Sequence, residues 1–121
     1  MDKLQDNIGK WGKQTFRHTC EHLPALHKHI EREVAELGSD IEDYCEARQE
    51  DRTHDFIQEE CADVFILLCS IAYLCGFSLK EAVGCKMAIN RRREWGEPDK
   101  DGVIEHISCE NSEDRQPKGA K

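Results

Sequence analysis

No run of this chain alternates apolar and polar residues while being rich in Val, Ile and Thr, so the pattern of a half-buried strand is missing. Apolar residues recur instead at helical spacing in four places. Leu4, Ile8 and Trp11 predict a short first helix. Pro24 suits the opening position of a second, whose stripe is Leu26, Ile30, Val34 and Leu37 and which Gly38 is expected to stop. Residues 39–53 are dense in Asp and Glu and read as a linker with one loose turn around Ile41 and Tyr44. A third helix is expected from Asp55 to Cys75, with Gly76 as its left-handed stop. Ser78 and Glu81 form a capping box that opens a fourth, reaching about Trp95. Residues 96–102 carry turn chemistry, and beyond Ile107 the chain is polar. The fold class is therefore all-α, a bundle of about four main helices in one domain over 1–107. Residues 108–121 are expected to be a disordered tail.

Charge narrows the partners. With 17 Lys and Arg against 25 Asp and Glu, the net charge is -8, and such a chain does not track a nucleic-acid backbone by bulk electrostatics. Any phosphate must be held by a few placed cations or by metal ions. The longest apolar stretch, Val64 to Cys69, is far short of a membrane span of about 20 residues. The segment Met1 to Asp6 has no signal-peptide core, so a soluble cytoplasmic protein is expected. None of the seven cysteines forms a Cys-x-x-Cys pair, which excludes zinc ribbons and thioredoxin-like sites. Cys61, Cys69 and Cys75 are expected in the core as small apolar residues. His18, His22, His27 and His29 read as surface residues.

Two acid-x-x-acid pairs stand out by position. Glu33 and Glu36 lie in the second helix, Glu60 and Asp63 in the third, and residues i and i+3 share a helix face. In so acidic a chain the spacing alone decides nothing. On a helical wheel with Phe56 at zero, however, Glu60 falls at roughly 40° and Asp63 at roughly 340°, while Leu67 falls at roughly 20°. These acids thus lie inside the apolar stripe, and Glu33 lies beside Leu26, Ile30 and Leu37. Inward-facing carboxylates are costly unless paired or metal-bound. Two readings stay open: four oxygen donors for a hard cation such as Mg²⁺, or ion pairs with Lys or Arg from another helix.

On the fourth helix, Leu79, Val83, Lys86, Asn90 and Arg93 share a face that begins apolar and turns polar. Lys86 and Arg93 can grip phosphate oxygens and Asn90 a metal or ligand; the alternative is a solvated basic helix end. Trp11 and Phe16 either stack on a base or belong to the core. There is no Walker loop, no Gly-x-Gly-x-x-Gly and no Glu-x-x-His.

In order, Glu33-x-x-Glu36, then 23 residues, then Glu60-x-x-Asp63, then Lys86-x-x-x-Asn90-x-x-Arg93 resembles the MazG-like all-α nucleoside triphosphate pyrophosphatases. Trp11-x-x-x-Thr15-Phe16, Glu59 to Val64, Lys86 to Trp95 and Pro98 to His106 resemble the phage-type dATP/dGTP diphosphohydrolase branch. The resemblance covers roughly residues 8–107; the segment from Asp40 to Thr53 is not characteristic of it. It implies hydrolysis of a dNTP, of the dATP/dGTP class, to dNMP and pyrophosphate. It implies Mg²⁺, with Mn²⁺ able to substitute, held by Glu33, Glu36, Glu60 and Asp63, and a water oriented by Glu36 or Glu60. Lys86, Asn90 and Arg93 would hold the β and γ phosphates, and Ile8 and Trp11 the base. It further implies a homodimer or dimer of dimers in the cytoplasm of a bacterial or phage-infected cell. The alternatives are a pyrimidine-directed enzyme on the same fold and a non-catalytic helical interaction module.

Overall fold

In the computed structural model, which describes residues 2–107, the Asp2 carboxylate caps the first helix by accepting from the Leu4 backbone N–H at 3.1 Å. This helix, α1, spans Lys3–Phe16 and ends at Arg17, which takes a left-handed φ of 56° while its N–H closes onto the Lys13 carbonyl. A single turn at Cys20–His22 follows, capped by Thr19, and leads into α2, Leu23–Glu46. The third helix, α3, spans Asp55–Cys75, and α4 spans Leu79–Arg92. The chain divides into two units, one ending at Lys80 and one beginning at Glu81. Among the described residues no single helix is long and apolar enough to cross a membrane. The tail expected over 108–121 lies outside the described residues.

In the first unit, α3 packs against both α2 and α1. Its core is Leu26, Leu67, Cys69 and Ala72, with Gln5 and Ser70 as buried polar residues. The Ser70 hydroxyl is satisfied by the Ile66 carbonyl at 3.1 Å. Gln5 is fully buried, and both ends of its amide are used. Nε2 donates to the Phe77 carbonyl at 2.7 Å and Oε1 accepts from the Leu79 N–H at 2.8 Å. Gln5 therefore ties α1 to the corner after α3 and satisfies a backbone donor that opens α4. That corner turns on Gly76, at φ 85°, as expected; its N–H closes onto the Ala72 and Tyr73 carbonyls.

Several expectations about this unit need correction. The face that α1 buries is Gln5, Gly9 and Gly12, not Leu4, Ile8 and Trp11. Leu4 and Trp11 are exposed and Ile8 is half-buried. The cause is close approach: the Tyr73 ring fills the space where a Cβ on Gly9 would stand. Gly38 does not stop α2, which runs on to Glu46. An interior Gly costs about 1 kcal/mol against Ala, which a long helix tolerates. The end of α2 is closed instead by Arg52, whose guanidinium donates to the Ala47 and Cys45 carbonyls at 3.3 and 3.2 Å and lies over the Tyr44 ring. Of the three cysteines expected inside, only Cys69 is buried; Cys61 and Cys75 are exposed. His18 is half-buried rather than a surface residue.

The second unit holds most of α4 and a turn. The helix ends at Arg92 rather than near Trp95, because the chain leaves it to form an isolated antiparallel bridge between Trp95 and His106. Asp99 closes the loop between them: Oδ1 accepts from the Asp101 and Val103 N–H groups at 2.8 and 2.9 Å. Gly102, at φ 82°, supplies the reversal.

Two glycine substitutions test this account in opposite directions. Gly9→Ala drives a methyl group into the Tyr73 ring and should destabilise by about 1–3 kcal/mol. Gly38→Ala meets nothing within 4 Å and should stabilise by about 0.4–1 kcal/mol. Urea midpoints of the two variants beside the parent check both signs; a Gly9→Ala protein as stable as the parent would refute the close approach of α1 and α3.

Candidate metal and nucleotide site

The helical phase that buries Leu26 on α2 and Leu67 on α3 also turns acidic side chains inward. Glu33 and Glu36 come from α2 and Glu60 from α3, and one carboxylate oxygen of each lies within 4.8 Å of the others. The Glu33 side chain is only 14% exposed, although it carries a charge. Oε1 of Glu60 is buried without a hydrogen-bond partner. Asp63, one turn further along α3, is exposed rather than buried in the stripe and lies outside the three-oxygen cluster. It still acts on the cluster, raising the pKa of both Glu33 and Glu60 through its charge.

Electrostatics then separate the two readings of these acids. Among the described residues none of the four pairs with a lysine or arginine; the one nearby base is His29, with Nε2 at 3.8 Å from Glu33. The carboxylates therefore face one another. Loss of hydration pushes the Glu60 carboxyl up to about 7, helped by the hydrogen bond that its protonated form donates to Glu33 and by the charges of Glu36, Glu33 and Asp63. Glu33 is raised as well, mainly by loss of hydration, while its hydrogen bond with Glu60 works the other way. Glu60 is thus the member that holds the shared proton. Hard oxygen donors from two helices, one buried oxygen unpartnered and no cation among them form a set that fits a divalent metal ion.

Beside the cluster opens a cavity of about 340 Å³. Glu33 and Asp63 form its acidic side, and Leu26, Ile66 and Leu67 its apolar floor. Trp11, Phe16 and His18 form the remaining wall. Phe16 meets the Trp11 ring edge-on at 5.2 Å and stacks on His18 at 5.2 Å. Of the two residues expected at the base, Trp11 lines this cavity and Ile8 does not. His18 and His29 also line it, although the sequence reading set both aside as surface residues. Gly9 and Gly12, spaced i and i+3 on a short helix, were the available sign that α1 presses its backbone onto a neighbour. Lys86, Asn90 and Arg93 belong to the second unit. There Arg93 Nη1 donates to Asn90 Oδ1 at 3.4 Å, and Lys86 is exposed.

No family model matches the chain. It is 42% identical over 67 residues to a dATP/dGTP diphosphohydrolase of cyanophage S-2L, a match covering 55% of this chain and 61% of that protein. It is 38% identical over 106 residues to a dATP/dGTP diphosphohydrolase of Salmonella phage PMBT28, covering 86% of this chain and 30% of that one. The chain thus spans less than two thirds of the length of either curated relative. The solved structure of the cyanophage S-2L MazG-like pyrophosphohydrolase, bound to dGDP and three catalytic Mn²⁺ ions per active site, superposes with a TM-score of 0.53 at 30% identity. That likeness covers 88% of this chain and 92% of that structure. The chain belongs to the phage-type MazG-like family. Among the described residues the chain has four main helices and no strand, the all-α class that the helical periodicity implied, and the acid-x-x-acid pairs lie on two helices that pack together.

The clustered acids predict how this MazG-like protein responds to pH without metal. Because the folded-state pKa of Glu60 is raised to about 7 from 4.5, the folded chain holds the extra proton between those values. Its contribution is fully present below pH 4.5 and is lost as pH rises through about 7. His18 has a lowered pKa and works in the opposite sense, so the comparison is with a variant. In a chelator, Glu60→Gln should be at least as stable as the parent at pH 8, and its advantage should shrink toward pH 5. Urea unfolding at both pH values measures this; a Glu60→Gln protein that loses stability at pH 8 would contradict mutual repulsion.

Proposed function

We propose that this chain is a metal-dependent dNTP pyrophosphohydrolase, converting a dNTP of the dATP/dGTP class and water to dNMP and pyrophosphate. The observation that carries the reading is the carboxylate cluster, which no Lys or Arg among the described residues pairs with, at the edge of a cavity walled by aromatic rings. Supporting it are two relatives known as dATP/dGTP diphosphohydrolases and a MazG-like structure that binds dGDP and Mn²⁺.

Glu33, Glu36 and Glu60, with Asp63 beside them, would hold Mg²⁺, with Mn²⁺ able to substitute. Divalent cations there supply charge neutralisation on the phosphate oxygens and a lowered pKa for the attacking water. The chain's own groups do the rest. Glu36, the exposed member, or Glu60 orients the water and takes its proton as the oxygen attacks the α-phosphorus in line. Trp11 and Phe16 offer ring faces to the base, and Leu26 and Leu67 keep water from its buried side. Lys86, Asn90 and Arg93 are assigned the β and γ phosphates by the family motif, a role their substitution tests separately.

Self-association as a homodimer or dimer of dimers belongs to the same reading. The described core is small, while Leu4, Val34, Phe65 and Leu68 are exposed on the helices of the first unit. Sedimentation should accordingly give a mass of two or four chains; a monomer at micromolar concentration would remove that part.

The deciding experiment is a panel of purine and pyrimidine dNTPs and NTPs with Mg²⁺ or Mn²⁺, followed by chromatography. The expected products are monophosphate and pyrophosphate, fastest from dATP and dGTP, with activity abolished by a chelator and restored by either metal. Stepwise release of orthophosphate, or full turnover in excess chelator, would remove the proposal.

A further inference from the structure

One wall of the cavity carries a polar group with no role so far. His18 is half-buried in a stack, 5.2 Å from Phe16 at an interplanar angle of 29° and 5.5 Å from His22 at 52°. Its Nδ1 is buried and has no hydrogen-bond partner. α1 covers that atom: a Cβ on Gly12 would stand 3.0 Å from it. The neighbouring His22 ring makes no hydrogen bond to it and is held by its own loop, its Nδ1 accepting from the Thr19 backbone N–H at 2.9 Å. An imidazole has two polar atoms. With Nδ1 sealed beneath Gly12, Nε2 is the only one His18 can present to the cavity.

The tautomer follows from the same geometry. Burial, and to a lesser degree the neighbouring His22, hold the His18 pKa down, so the ring is neutral at pH 7. A proton on Nδ1 would strand a buried N–H with no acceptor, which costs more than leaving a lone pair unused. The proton therefore resides on Nε2, and the cavity wall carries a hydrogen-bond donor. Beside the rings of Trp11 and Phe16, such a donor selects a flat heterocycle with an acceptor on its perimeter. Adenine and guanine differ in their exocyclic groups but share the ring acceptors N7 and N3, so a single donor to either admits both.

We propose that His18 is a specificity-determining residue whose Nε2–H donates to a ring nitrogen, N7 or N3, of the bound purine. This rests on the reading of the site as a dNTP pyrophosphohydrolase. The test is steady-state kinetics of the full chain with Mn²⁺ on dATP, 7-deaza-dATP and 3-deaza-dATP. The parent protein should lose about tenfold in kcat/KM on one of the two analogues, mostly through KM, as for one lost hydrogen bond. His18→Phe keeps the ring stack and removes the donor. It should lose about the same factor on dATP with kcat within about twofold, and should treat that analogue and dATP alike. His18→Gln, which returns a donor, should recover part of the preference. A parent protein that hydrolyses both analogues as well as dATP overturns the proposal whatever the variants do, and so does a His18→Phe protein that still discriminates. A parent protein that hydrolyses no dNTP overturns the reading of the site together with this proposal.

Discussion

Mutual repulsion among carboxylates is the constraint around which the first unit is organised. Glu33, Glu36 and Glu60 hold oxygens within 4.8 Å of one another, with no lysine or arginine among the described residues paired to them, an arrangement that pushes α2 and α3 apart. Apolar packing in the same interface opposes it, through Leu26 on α2 and Leu67 and Ala72 on α3. The proton shared by Glu33 and Glu60 relieves part of the repulsion. A structure in this condition is stabilised by any ligand that brings positive charge to the cluster, so binding and folding are coupled at this point.

The third helix was legible to its last residue. Its apolar positions are dense, and Gly76 ends it by a local rule that needs no distant partner. The end of α2 was not. Gly38 is a local breaker signal, but the group that closes the helix is Arg52, beyond the helix itself, and its action depends on the chain folding back onto Cys45 and Ala47. The face of α1 was misread for a different reason. Hydrophobic periodicity weighs bulk, and it picked Leu4 and Trp11; what the helix buries is the lack of bulk at Gly9 and Gly12, which lets Tyr73 and His18 approach.

The same division runs through the site. The acids were readable because they sit where a soluble helix should carry apolar residues, a conflict visible in sequence alone. Asp63 shared that signal and yet is exposed, because a phase angle locates a face but not how far a neighbouring helix extends over it. His18 carried no such conflict. A histidine in a polar loop looks solvated until the backbone brings Gly12 over one of its nitrogens.

Two sets of elements meet at the cavity. The carboxylates belong to α2 and α3, whereas Trp11, Phe16 and His18 lie on α1 and the loop after it. α1 is fastened through Gln5 and its glycine face rather than through Leu4, Trp11 or Phe16. Replacements at positions 11, 16 or 18 therefore change what the cavity admits while leaving the interface that holds the acids intact. Such a layout makes ligand choice an evolvable trait, free to drift among descendants of one fold while the reacting groups stay in place.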